Sequence, residues 1–134
     1  MNIIGTLRKR LVVIGNGMAG MRTVEEILKR APGMFEITVF GAEAQPNYDR
    51  IMLSPLLAGD KSFAQIVLNT HEWYAQNDIR LIVGEEVVEI DRVARIVTGA
   101  QGSTAHYDML LLATGSDPFV LPLPGVARPG VMTF

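Results

Sequence analysis

Leu11-Val12-Val13-Ile14-Gly15-Asn16-Gly17-Met18-Ala19-Gly20 is the stretch that decides the fold. Four apolar residues in a row, two of them Val and one Ile, read as a strand buried on both faces. The glycines that follow form G-x-G-x-x-G. Residues 21–30 then have helical spacing: Met21, Val24, Ile27 and Leu28 share one face, and Glu25, Glu26, Lys29 and Arg30 lie largely on the other. In a strand–turn–helix unit of this kind the first glycine permits the tight turn. The second lets the backbone approach a pyrophosphate, and the third lets the helix pack against the strand. The free N–H groups of the first helical turn, at the positive end of the macrodipole, then face an anion. Context gives the motif its weight, because a glycine-rich turn can also occur without any ligand.

Outward from this unit, Pro32-Gly33 ends the helix. Ile37 to Phe40 reads as a second strand and completes a βαβ unit. Glu43 lies 23 residues beyond Gly20, near the position where an acidic side chain grips a ribose hydroxyl, although it can also be read as a solvated loop residue. Residues 45–50, QPNYDR, form a polar turn. Residues 51–59, IMLSPLLAG, suggest a short helical turn that either faces a ring system or joins the core. Residues 62–67 carry no clear pattern. Thr70 is placed to cap a helix over 71–77, in which Trp73 and Tyr74 are expected to pack and His71 to be solvated. Ile79 to Val83 reads as a third strand. Residues 87–90, 95–98 and 104–107 then read as a small antiparallel meander, with His106 half-exposed on it. Met109 to Ala113 reads as another doubly buried strand. Four prolines (Pro118, Pro122, Pro124 and Pro129) and two glycines close together in the tail preclude long regular structure there. The expected fold class is α/β: a Rossmann-like half-domain with parallel strands in the order 3-2-1-4 and a three-stranded antiparallel meander over one face.

Composition bounds the function. The 134 residues suit one domain, 49% of them are apolar, and the formal net charge is −2. No basic excess points to nucleic acid, and no apolar run approaches a membrane span of about 20 residues. Residues 1–7 read as a loose leader, and the absence of a signal-peptide pattern points to the cytoplasm. With no cysteine in the chain, disulfide exchange, thiolate zinc sites and thiolate-held iron–sulfur clusters within it are excluded. His71 and His106 lack metal-ligand spacing, so no metal site is expected.

The combination is more specific than its parts. Thr104-x-x-Tyr107-Asp108-x-Leu110-Leu111-Leu112-Ala113-Thr114-Gly115 resembles the ATG motif of the pyridine nucleotide–disulfide oxidoreductase superfamily, flavoproteins with two dinucleotide-binding domains. Within it, residues 37–59, with ITVFGAE, NYDR and LS-x-x-LAG, resemble the large subunits of NAD(P)H-dependent assimilatory nitrite reductases. So do Glu72-Trp73-Tyr74, Ile90-Asp91 and residues 113–116. Rubredoxin and ferredoxin reductases share much of this signal, but often carry Lys directly after the Leu-Ser pair, where this chain has Pro55. A small nucleotide-binding module without a redox role is the reading from a different class.

The resemblance implies FAD as the cofactor. Gly15, Gly17, Met18, Ala19 and Gly20 would hold its pyrophosphate by backbone, and Glu43 its adenosine ribose. Arg50 would meet pyrophosphate charge, unless it is simply solvated. Val87 would meet adenine through its backbone, and Ala113, Thr114 and Gly115 would line the flavin side. It further implies that the chain is the N-terminal part of an FAD-binding domain. NAD(P)H, sirohaem and an iron–sulfur cluster would then belong to the full-length protein only. The partners would be FAD, the remainder of the same polypeptide and, through an apolar face at residues 119–123, a second copy.

Overall fold

Strand β1 (Lys9–Ile14) forms the middle of a parallel sheet because its apolar half can be covered from every side. The computed structural model describes residues 7–133, so the leader expected over residues 1–7 lies outside them except for Leu7. Helix α1 (Met18–Arg30) follows the glycine turn and leads to β2 (Phe35–Phe40), which pairs parallel with β1 from Lys9↔Phe35 to Ile14↔Phe40. A 3-10 turn (Arg50–Met52), α2 (Leu53–Leu57), α3 (Phe63–Ile66) and α4 (His71–Gln76) make up the crossover. Strand β3 (Ile79–Ile82) then pairs parallel with β2. The meander β4 (Val87–Asp91), β5 (Ile96–Gly99) and β6 (Thr104–His106) is antiparallel. The chain then returns to the main sheet as β7 (Met109–Leu112), parallel to β1. The order β3-β2-β1-β7 is the expected 3-2-1-4, with a separate three-stranded sheet β4-β5-β6.

Two cores sandwich the parallel sheet. On one face Leu11, Val13, Ile37 and Val39 meet Met21 and Val24 of α1 and Tyr74 of α4. On the other, Val12, Ile14 and Phe40 meet Val97, Ala105 and Tyr107 of the meander. The alternation along β1 divides its side chains between these layers. Each fully buried large side chain contributes about 1.5–3 kcal/mol relative to exposure. The helical layer and the meander together explain why β1 shows no polar alternation.

Three expectations need correction. Strand β7 is not doubly buried: Met109 is 49% and Leu112 61% exposed. Among the described residues β7 pairs only with β1, so it is an edge strand. The stretch at residues 62–67 contains α3, opened by a capping box in which the Ser62 N–H donates to the Gln65 side chain at 2.8 Å. His106, expected to be half-exposed, is exposed.

Strand β7 is joined to β1 by a charged clasp. The Arg10 N–H donates to Asp108 Oδ2 at 2.7 Å, its guanidinium donates to both carboxylate oxygens at 3.1 and 3.0 Å, and the Asp108 N–H donates to the Arg10 carbonyl at 2.8 Å. The Arg10 side chain, then its backbone N–H, hold the Asp108 carboxyl down at about 2, against an ordinary 3.8. A depressed carboxylate stabilises the fold above its unfolded value and loses that contribution as pH falls through the folded one. Asp108→Asn therefore lowers the melting temperature at neutral pH, and its gap from the unaltered protein closes between pH 3.8 and about 2. Melting curves of both proteins across that range check this; a gap that stays constant contradicts the clasp.

Candidate functional site

The carboxyl ends of β1, β2 and β7 open onto one cavity of about 770 Å³. This is the switch point of the sheet: the chain leaves β1 toward β2 on one side and reaches β7 on the other. The turn is fastened on both sides. Gly15 N–H donates to the Phe40 carbonyl at 2.8 Å, and Ala113 N–H donates to the Ile14 carbonyl at 2.8 Å.

The glycines of the turn differ in what surrounds them. Gly15 has φ +116°, and a Cβ there would run into the Ala113 carbonyl. A Cβ on Gly20 would lie 2.7 Å from the Gly15 carbonyl oxygen and 3.2 Å from Ala113 Cβ, so Gly20 sets the close approach of α1 to β1 and β7. A Cβ on Gly17 would meet nothing within 4 Å, because it points into the open cavity. Gly17 is also the residue that caps α1. It supplies no side-chain cap, and no acidic residue stands in the first turn. The first N–H groups of α1 are therefore free to take an anion.

The cavity brings together all the residues singled out by sequence except one. Gly15, Gly17, Met18 and Ala19 line one wall, Glu43, Arg50 and Val87 stand on other parts of the lining, and Ala113, Thr114 and Gly115 close the β7 side. Gly20 is buried behind the turn and does not line it. The apolar segment 51–59 also stays off the lining.

Glu43 and Arg50 are joined directly. The Arg50 guanidinium donates to Glu43 Oε1, and the Tyr48 hydroxyl donates to Glu43 Oε2 at 2.7 Å. The Arg50 guanidinium carbon lies 5.1 Å from the Tyr48 ring centre, and that ring packs on Phe63 at 5.5 Å. Partial burial pushes the Glu43 carboxyl up, but the bonds from Tyr48 and Arg50 outweigh it and leave the group below its ordinary value. Glu43 is thus held ionised.

Sequence reading missed the buried polar chain behind the turn. Tyr74, 1% exposed, donates its hydroxyl to Asn16 Oδ1 at 2.5 Å. The Asn47 N–H donates to the Tyr74 hydroxyl at 3.4 Å, the Asn47 side chain donates to Asn69 Oδ1 at 2.8 Å, and Asn69 donates to Glu25 on α1 at 3.0 Å. Burial pushes the Tyr74 hydroxyl up to about 12. The chain ties the second residue of the glycine motif to α4 and α1. Glu85 was missed too: its buried carboxylate accepts from the N–H groups of Gln101 and Ser103 and from the Ser103 hydroxyl at 2.6 Å, which fixes the meander turn beside Val87. Among the described residues no group of three or more His, Asp or Glu is placed to hold a metal, and no helix is long and apolar enough to cross a membrane.

The glycine geometry predicts unequal stability effects. Gly15→Ala adds both backbone strain and a clash, and should cost more than about 2 kcal/mol. Gly17→Ala adds a methyl to open space at an ordinary φ of −100°, and should leave stability within about 0.5 kcal/mol. Chemical denaturation of the two variants tests the pair; equal losses contradict the assignment.

Comparison with known proteins gives concordant matches. The model of the pyridine nucleotide-disulphide oxidoreductase family matches residues 9–133. A nitrite reductase [NAD(P)H] of Bacillus subtilis is 48% identical over 127 residues, covering 95% of this chain and 16% of that protein. The ferredoxin–NAD(+) reductase subunit of a benzene 1,2-dioxygenase system from Pseudomonas putida is 36% identical over 129 residues, covering 95% of this chain and 31% of that protein. Among solved structures, a ferredoxin reductase from Rhodopseudomonas palustris superposes with a TM-score of 0.81 at 26% identity, over 93% of this chain and 31% of that one. The chain therefore spans less than a third of the length of each of these relatives.

Proposed function

The chain belongs to the pyridine nucleotide-disulphide oxidoreductase family, and from that premise we propose that its cavity is the adenosine-diphosphate half of an FAD site. The observation that carries this reading is the N-terminus of α1, which has no side-chain cap and opens onto the cavity through the empty space above Gly17. The backbone N–H groups of Gly17, Met18 and Ala19 hold the diphosphate, helped by the helix dipole. Gly15 makes the turn, and Gly20 keeps α1 close enough for these groups to reach the ligand. Glu43, held ionised, accepts the ribose hydroxyls. Val87 meets adenine from the meander, its backbone steadied by Glu85. Ala113, Thr114 and Gly115 lead toward the flavin ring. A cavity of about 770 Å³ lies within the range of roughly 300–1,000 Å³ usual for ligand pockets.

When bound, FAD supplies hydride acceptance from a nicotinamide and release of single electrons. The chain's own share is binding, orientation and charge. Without cysteine it offers no disulfide chemistry. We read the chain as the N-terminal part of an FAD-binding domain, with the remaining walls around the flavin ring, the NAD(P)H site, sirohaem and an iron–sulfur cluster supplied by further polypeptide. The exposed apolar run at Phe119, Leu121 and Leu123 is the face we assign to that polypeptide or, in its absence, to a second copy. The likeness to the Bacillus subtilis protein favours electron transfer from NAD(P)H through FAD toward nitrite, with ammonium as product. The likeness to the Pseudomonas putida subunit favours a ferredoxin as the electron acceptor instead.

Two measurements test this. In the 134-residue chain, ADP and FAD should bind with similar affinity, because most of the flavin ring remains in water, and Gly17→Ala should weaken both by about tenfold or more. Unchanged affinity removes the glycine turn from the site. In the polypeptide of the complete reading frame, NAD(P)H oxidation should depend on nitrite; dependence on a ferredoxin alone selects the other acceptor.

A further inference from the structure

We propose that Asn16 and Gly17 form a self-modification site in the glycine turn, an Asn-Gly pair able to close into a succinimide, which the Tyr74 side chain holds shut. The chemistry belongs to the chain itself, so it stands apart from the ligand reading above. Asn16 is the one asparagine of the sequence that is followed by glycine. Glycine has no Cβ to shield its backbone nitrogen. A Cβ on Gly17 would meet nothing within 4 Å, so no neighbour shields it either. The Gly17 N–H takes part in none of the backbone hydrogen bonds that fasten the turn, and both residues line the open cavity, where water reaches them.

The reaction is internal. The Gly17 nitrogen bonds to Asn16 Cγ, the Cγ–Nδ2 bond breaks, and Nδ2 leaves as ammonia with the proton from the Gly17 amide. Water then opens the succinimide ring at either carbonyl and gives aspartate or isoaspartate. Nothing is oxidised or reduced. The product puts a carboxylate beside the first N–H groups of α1, where it competes with any other anion.

For this the carboxamide must turn its carbon toward Gly17 and release Nδ2, and both of its ends are held. The Tyr74 hydroxyl donates to Asn16 Oδ1 at 2.5 Å, and Asn16 Nδ2 donates to the Gln45 carbonyl at 3.4 Å. The first bond is the firmer, because it is short and Tyr74 is 1% exposed with its ring edge-on to Trp73 at 5.2 Å. Gly41 backs the side chain: a Cβ there would lie 2.8 Å from Asn16 Cβ. Burial pushes the Tyr74 hydroxyl up to about 12, so it remains a donor in mildly alkaline solution, where succinimides form fastest. Tyr74 is thus the positioning residue that keeps Asn16 from reacting.

Peptide mapping by mass spectrometry, after incubation at mildly alkaline pH, reads the loss at Asn16 as an amide nitrogen replaced by oxygen. In the unaltered chain Asn16 should react more than about tenfold more slowly when folded than in urea. Tyr74→Phe should speed the folded-state loss roughly tenfold. Gly17→Ala, added to Tyr74→Phe, should slow it again by shielding the nitrogen. Val97→Ala loosens the core on the opposite face of the sheet without touching Asn16, and should leave the rate unchanged. Equal acceleration by Tyr74→Phe and Val97→Ala, no acceleration by Tyr74→Phe, no slowing by the added alanine, or equal rates folded and in urea would each overturn the proposal.

Discussion

The structure depends on β1 being hydrogen-bonded on both edges and covered on both faces. Its residues pair with β2 and β7 in register, and its side chains alternate between the α1/α4 layer and the meander. A strand so enclosed cannot slip, because a one-residue shift would exchange the side chains of the two cores. Its end is therefore a fixed point. Gly15 and Ala113 extend the same ladders by one bond on each side, so the glycine turn leaves the sheet at a defined place and angle. The cavity exists because the neighbours of β1 run to opposite sides there.

The site is built in two mechanical grades. The turn is rigid: Gly15 and Gly20 leave no room for a side chain, and Asn16 is held by Tyr74, whose ring lies in the core. The rim is looser. Glu43, Tyr48 and Arg50 hold one another through side-chain ends, with Glu43 and Arg50 about half exposed.

Much of this was legible in the sequence because it is local. The apolar runs of β1 and β2, the 3.6-residue period of α1, the turn glycines and the Thr70 cap are all decided within a few residues, and Thr70 does accept from Trp73 N–H at 3.2 Å. The rest depends on distant neighbours. The apolar run at Met109–Leu112 looks like that of β1, yet burial is decided by what pairs beyond it, and β7 is an edge. Helix α3 is too short for a period to show, although Ser62 and Gln65 had the spacing of a capping box. The Tyr74–Asn16 bond joins residues 58 apart, and Glu85 reaches Ser103 across 18. Glu43 and Arg50 were each assigned to a ligand; that they meet each other follows only from the fold of the polar turn between them.

The central claim is that the free N–H groups at the start of α1 receive a diphosphate. Amide proton and nitrogen chemical shifts, followed by NMR as ADP is added to the isotope-labelled chain, test it most directly. The largest changes should fall on Gly17, Met18 and Ala19, with smaller ones at Val87 and at Thr114 and Gly115. Shifts that leave residues 17–19 unmoved while others respond would contradict it.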